Sequence, residues 1–264
     1  FLKEYDIEHL AVPHDFDLFF AEKLEKSGIK VESISDIIMD ARVQKSNSEL
    51  EALQTAQMAT EDAMSYAEGI LRDSQADGGV LHYKREVLTS ERLRSKVQQF
   101  LMDRQCSLDE AIIACGQAAA DPHEVGSGPL RINEPILFDI YPQHESGYWG
   151  DMSRTFVKGT PSSEFVEMYE TTQTAFECAL EILSDGAGVT GAAVHNAVCE
   201  IFEQAGYQTI REGDIEEGFL HSTGHAIGLD LHEPPRLVDG TGELNNGTVL
   251  TVEPGLYDKE HGGV

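Results

Sequence analysis

Three histidines, His221, His225 and His232, fall within twelve residues at intervals of four and seven, and glycines at 224 and 228 flank the middle one. Glycine there lets the backbone pass close to whatever His225 binds. About twenty residues on, the β-branched run Thr248-Val249-Leu250-Thr251-Val252 delivers Glu253 just ahead of Pro254-Gly255. Upstream, a hairpin-like segment carries Asp139 and Asp151 at its two ends. Two aspartates, a histidine and a glutamate on extended runs make an oxygen-rich set suited to hard or borderline divalent cations. Two carboxylates in one space normally force one of them to stay protonated, and a divalent ion removes that penalty. Asp139 stands inside the apolar run Ile136-Leu137-Phe138-Asp139-Ile140, where an uncompensated charge is expensive. Taken alone, Asp139 reads as half of a buried ion pair, and Asp151 as a partner of nearby Arg154. The histidines and Glu253 downstream turn the reading to a metallohydrolase.

These residues need elements to hold them. Residues 1–40 read as a small α/β piece, with strands over 8–13 and 29–31, a helix over 17–27 closed by Gly28, and a further segment at 35–39. That piece is too short to stand as an independent domain. A long helix opens at 46–48, with Ser48 and Glu51 in capping-box relation, and keeps one apolar face through Leu50, Leu53, Met64, Ala67, Ile70 and Leu71. Gly78-Gly79 marks a break, and a second helix runs from Thr89 past Leu101. The period then changes to strands at 111–116, 136–141 and 148–157, with a histidine-bearing turn at Asp121-Pro122-His123-Glu124. Helices follow at 163–183 and 190–205. The order of two helices, strands, two helices, strands describes two similar halves. It predicts an α+β fold, a curved antiparallel sheet backed by helices. His9, His14 and His195 have no acidic partners at ligand spacing and read as surface or packing residues.

The bulk composition narrows the function class. Nineteen Lys and Arg against forty-seven Asp and Glu give a net charge of −28, spread along all 264 residues. Such a surface repels nucleic acid and anionic membrane and favours solubility, and no apolar run reaches spanning length. A salt-rich cytoplasm would screen the self-repulsion. The four cysteines show no C-x-x-C spacing and read as free thiols in a reducing compartment. The chain opens at Phe1-Leu2-Lys3-Glu4, without Met and without signal-peptide character, so the expectation is that an N-terminal portion has been removed or is not represented.

The order, flanking glycines and spacings together resemble the metallopeptidase family with the pita-bread fold, which holds methionine aminopeptidase, Xaa-Pro aminopeptidase, Xaa-Pro dipeptidase (prolidase) and creatinase. Phe138-Asp139 with Gly147-Tyr148-Trp149-Gly150-Asp151-Met152-Ser153-Arg154-Thr155-Phe156 is similar to that family's paired-aspartate hairpin. Thr223-Gly224-His225-Ala226-Ile227-Gly228-Leu229-Asp230-Leu231-His232-Glu233-Pro234 is similar to its Gly-His-Gly-Ile-Gly-Leu…His-Glu-x-Pro run, with Ala226 in place of a glycine, and Glu253-Pro254-Gly255 to its Glu-Pro-Gly run. Ala41-Arg42 with Lys45 resembles the start of the proline-peptidase catalytic domain. The resemblance covers about 41–264 and makes residues 1–40 a remnant of a small N-terminal α/β domain.

The resemblance implies metal ligation by Asp139, Asp151, His225 and Glu253, usually of two Mn, Co or Zn ions sharing a hydroxide that attacks the scissile carbonyl. It implies Glu253 as proton shuttle, His232 as the residue that orients substrate and steadies the transition state, and His123 and His221 as contacts to the substrate carbonyl or carboxylate. It further implies small peptide substrates with an Xaa-Pro bond, and a homodimer. His221, Gly147-Tyr148 and His232-Glu233-Pro234 lean to the proline peptidases. A methionine aminopeptidase-like enzyme and a non-catalytic peptide-binding module are the alternatives. Two departures stand out. Eleven residues separate Asp139 from Asp151, one more than usual, with Ile140-Tyr141-Pro142 where the family has Ala-Gly, so a local bulge is expected. The family also continues Gly-Gly-Val into Arg-Ile-Glu, the glutamate being a fifth, bridging ligand. This sequence stops at Gly262-Gly263-Val264. The expectation is an apparent C-terminal truncation, a site of four protein ligands, and metal that is weakly held, single or absent.

Overall fold

The structure, a computed structural model, describes residues 4–13, 16–186, 188–212 and 215–264, with backbone only at 35–38 and 215. His14 and Phe1–Lys3, read above from sequence, lie outside the described residues. The chain divides into two compact units, Phe1–Gln44 and Lys45–Val264.

In the first unit, β1 (His9–Val12) and β2 (Lys30–Ser33) pair in parallel, with α1 (Leu18–Lys26) connecting them and α2 (Ser35–Val43) following. Asp17 caps α1, its Oδ1 accepting from the Phe20 amide at 3.2 Å. Gly28, at φ +85°, closes the helix in a backbone conformation that favours glycine. Position 40 lies inside α2, and the division between the units comes four residues later.

The second unit opens on α3 (Asn47–Asp73). Its cap is two residues earlier than expected. Glu49, not Glu51, reaches back, its carboxylate accepting from the Ser46 amide at 2.8 Å and the Ser46 hydroxyl at 2.6 Å. The earlier start follows from Lys45, whose amide is tied to the Gly247 carbonyl. After α3 comes a small antiparallel sheet that sequence periodicity did not show, β3 (Gln75–Asp77), β4 (Val80–Tyr83) and β5 (Glu86–Val87). Both of its turns need positive φ at two consecutive residues. Gly78-Gly79 announces that requirement, whereas Lys84-Arg85, at φ +53° and +67°, does not. Next, α4 (Ser90–Met102) starts on Thr89, whose Oγ1 accepts from the Arg92 amide. β6 (Cys106–Ser107) and β7 (Ala111–Cys115) follow, and then a 3-10 turn over Gly116–Ala120.

β8 (Pro135–Ile140), β9 (Gln143–His144) and β10 (Met152–Val157) come next. β8 lies between β7 and β10 in an antiparallel sheet, while β9 pairs with β6. The first core forms where Ala63, Ala67, Ile70 and Leu71 of α3 and Leu93, Val97 and Leu101 of α4 pack on Ile113, Ile136 and Phe138. The second half repeats the plan. α5 (Ser163–Ser184) and α6 (Gly191–Gln204) enclose a core of Phe165, Met168, Ala175, Val194, Val198, Phe202 and Leu237. Its strands are β11 (Ile210–Glu212), β12 (Ile215–Glu217), β13 (Gly224–Ala226), β14 (Glu233–Leu237), β15 (Tyr257–Asp258) and β16 (Gly262–Gly263), all in antiparallel pairs. Two helix-backed antiparallel halves are what the element order predicts. Among the described residues, no helix is long and apolar enough to cross a membrane.

Candidate metal centre

Asp139 and Asp151 reach one space through the β8–β10 ladder. Asp139 is opposite Ser153, and the register runs on without a break through the Gln143–Trp149 bridge and the Gly150 amide bond to the Pro142 carbonyl. The expected bulge is absent from this ladder. The additional residue is taken up at the tip, Glu145-Ser146-Gly147, where Gly147 adopts φ +88°. Strand alternation therefore puts Asp139, Tyr141, Asp151 and Ser153 on the same face. Ser153 Oγ donates to Asp139 Oδ1 at 2.9 Å, and the Asp151 amide donates to Gln57 on α3 at 3.0 Å.

The other half supplies His225 and Glu253. The stretch 249–253 runs along β13, with amide bonds from Ile227 to Val249, Thr251 to His225 and Glu253 to Thr223. His225 Nδ1 lies 3.1 Å from the Ala226 carbonyl, which places a proton on Nδ1 and turns Nε2 toward the carboxylates. That Nε2 stands 3.3 Å from Glu253 Oε1 and 3.6 Å from Asp151 Oδ2. One ligand atom from each of Asp151, His225 and Glu253 lies within 4.8 Å of the others.

Burial and mutual repulsion both weigh against the charged form of the two aspartates. Burial pushes the Asp139 carboxyl up to about 6, helped by the charge of Glu253 and opposed by the Ser153 hydroxyl and His225. Burial raises Asp151 well above the ordinary carboxylate range, and Asp139 and Glu253 add to it. Three carboxylates and an imidazole whose Nε2 faces two of them are the donor set of a hard or borderline divalent cation, so the residues fit the ion that the sequence implies.

The cluster lies on a cleft of about 1450 Å³, which His123, His221 and His232 also line. The His232 ring is 4.3 Å from that of His225, centre to centre, and burial keeps it neutral more strongly than in water. His221 is fixed on both nitrogens: Nδ1 is 2.8 Å from the Ser222 carbonyl and Nε2 is 2.9 Å from the Tyr257 hydroxyl. His123 is exposed in the turn after the 3-10 segment, its amide held by Asp121.

Five further residues have contacts at the site that the sequence does not announce. Arg236 is opposite His225 on β14, lines the cleft, and makes no ion pair with another described residue; its place four residues after His232 was the available signal. Tyr257 is buried, its phenol pushed far up by burial. Lys45 and Glu233 form an ion pair at 2.9 Å with both side chains almost wholly buried. Because Glu233 Oε1 also accepts from the Asp230 amide at 3.2 Å, this pair fixes the loop that carries His232. His195, read as a packing residue, packs on Phe219 and also binds Thr223 Oγ1 at 2.9 Å, steadying the strand that carries His225.

The fold and this site define a class. The sequence profile of metallopeptidase family M24 matches residues 51–264, and the chain belongs to that family. The Xaa-Pro dipeptidase of Lactobacillus delbrueckii subsp. lactis is 32% identical over 233 residues, covering 88% of this chain and 58% of that protein. The Xaa-Pro dipeptidase of Pyrococcus furiosus is 31% identical over 245 residues, covering 91% and 64%. The prolidase structure from Pyrococcus horikoshii OT3 superposes with a TM-score of 0.83 at 26% identity, over 100% of this chain and 72% of that one. The fold is the pita-bread fold of these proteins. The chain spans about three fifths of the length of the two dipeptidases.

Proposed function

We propose that this chain is the catalytic part of a divalent-metal-dependent exopeptidase that hydrolyses Xaa-Pro bonds in small peptides. The observation that carries the reading is the convergence of Asp151, His225 and Glu253 beside buried Asp139 on the floor of the cleft. Asp139, Asp151, His225 and Glu253 are the ligands in this reading. Three of them suffice for one ion, and Asp139 with Asp151 admits a second. A divalent cation in such a site polarises a carbonyl oxygen and brings the pKa of water toward neutrality.

The chain's own groups do the rest. Glu253 takes a proton from the attacking water and passes it to the leaving proline nitrogen; its Oε1, 3.3 Å from Thr251 Oγ1, is oriented for the task. His232, held neutral, donates a hydrogen bond to the oxygen on which negative charge develops. Arg236 supplies the positive charge that a substrate carboxylate needs, and His123, which lines the same cleft, contacts the substrate carbonyl or carboxylate. His221 acts through Tyr257, presenting a fixed surface to the peptide. Residues 1–40 fit part of a small N-terminal α/β domain, the free cysteines fit a reducing cytoplasm, and the net charge of −28 fits a salt-rich one. The ions are Mn, Co or Zn, and the assembly is a homodimer.

The test is a substrate panel with Mn(II), Co(II) or Zn(II): dipeptides Xaa-Pro, longer Xaa-Pro peptides, and Met-initiated peptides without proline. Selective cleavage of Xaa-Pro bonds is expected. Preference for Met-Xaa bonds, or peptide binding without turnover under all three metals, overturns the reading. Elemental analysis counts the ions: two per chain for the dinuclear arrangement, one or none for a site restricted to four ligands.

A further inference from the structure

The register that places Asp139 and Asp151 also places a third polar side chain beside them. Tyr141 is opposite the position of Asp151, two residues beyond Asp139 on the same face, and it lines the cleft half-buried. A partly buried phenol ordinarily finds a hydrogen-bond partner, yet the Tyr141 hydroxyl makes no hydrogen bond to another described residue. Its neighbours on the hairpin are otherwise engaged. Ser153 Oγ donates to Asp139, Trp149 Nε1 to the Leu229 carbonyl at 3.1 Å, and Arg154 Nη1 to the Ser153 carbonyl at 2.7 Å. Asp139 and Asp151 are acceptors. The hairpin wall therefore offers a bound peptide, itself rich in carbonyl oxygens, an uncommitted donor at Tyr141. The second half of the fold adds His221, His225, His232 and Arg236 to the same cleft. Tyr141 also stands where the resemblance described above has no side chain of this size, so its role belongs to this chain.

We propose that Tyr141 contacts the substrate directly, its hydroxyl donating a hydrogen bond to an oxygen of the bound peptide from the hairpin side of the cleft. The proposal rests on the peptidase reading for its ligand. Its probe is the dipeptide Ala-Pro. Trp149 is the single tryptophan of the chain and lines the same wall, so its fluorescence reports occupancy. Stopped-flow mixing of the Mn(II)-supplemented chain with Ala-Pro reads affinity before turnover. Tyr141→Phe removes the hydroxyl and keeps the ring. It is expected to weaken Ala-Pro binding about tenfold, the worth of one hydrogen bond, and to leave the melting temperature unchanged because no protein contact is lost. Equal affinity of parent and variant overturns the proposal, as does a lower melting temperature with unchanged affinity. A parent that binds Ala-Pro and fails to cleave it contradicts the reaction proposed above while leaving the Tyr141 contrast readable. A parent that fails to bind it overturns both.

Discussion

Ser153 faces Asp139 across the β8–β10 ladder, and its hydroxyl donates to Asp139 Oδ1 at 2.9 Å. This bond favours the charged carboxylate against the burial that pushes it up to about 6. A group that orients a ligand without touching the ion typically contributes 10–100-fold to affinity. Ser153→Ala should therefore weaken Mn(II) binding by about tenfold, measured by calorimetric titration near neutral pH. Affinity equal to the parent's would show that the hydroxyl does not support the site.

The raised carboxyls set a pH dependence. An ordinary Asp ionises near pH ~3.9, and folded Asp139 does so near 6, so metal-free folded protein binds more protons in between. The stability this contributes is fully present below about pH 4 and is lost as pH rises through about 6. Asp151 is raised in the same direction and adds to the loss. Chelated protein should melt at a higher temperature near pH 5 than near pH 8. Excess divalent metal should restore stability at pH 8, by about 2.7 kcal/mol at 100 times Kd. The titration of the acidic surface acts in the same direction, so the control is Asp139→Asn with Asp151→Asn. A pH profile equally steep in that double variant would trace the effect to the surface.

The buried Lys45–Glu233 pair gives a test of loop positioning. Lys45→Met removes the ammonium 2.9 Å from buried Glu233 and should cost up to about 3–5 kcal/mol in urea unfolding. Adding Glu233→Gln removes the second charge while retaining an acceptor for the Asp230 amide, and should recover most of that loss. If the single and double variants unfold alike, the ion pair is not what holds the loop.

Gly150 ties α3 to the site. A Cβ there would fall on Thr60 Oγ1 and come within 2.8 Å of the Ala56 carbonyl. Both atoms are held in place by the Thr60–Ala56 bond at 2.9 Å. Gly150→Ala should cost about 1–3 kcal/mol in stability and, by shifting the neighbouring Asp151, should weaken metal binding. A variant with parental melting temperature and metal affinity would contradict this close approach.

The parts legible in the sequence were those with a local code. Apolar periodicity reveals α3 to α6, and the paired aspartates, the glycine-flanked His225 and the Glu253 run single out residues that line one cleft, since each motif lies within a short stretch of chain. Long-range relationships were hidden. Lys45 and Glu233 are 188 positions apart, and nothing local marks either as a partner. His195 looks like any helix residue until Thr223 is folded against it. Tyr257 gains its meaning from His221, 36 positions earlier. The bulge expected from counting residues failed for a related reason: an extra residue can be absorbed at a hairpin tip, and only the hydrogen-bond register shows where.

The central claim is that Asp139, Asp151, His225 and Glu253 hold the metal with which this chain cleaves peptides. The most direct measurement is the initial rate of Ala-Pro hydrolysis across a Mn(II) titration, for the parent and for His225→Ala. The account predicts a rate that rises with metal to saturation, disappears with chelator, and falls by at least about a hundredfold in His225→Ala at any metal concentration. A rate indifferent to chelator, or retained in His225→Ala, would contradict it.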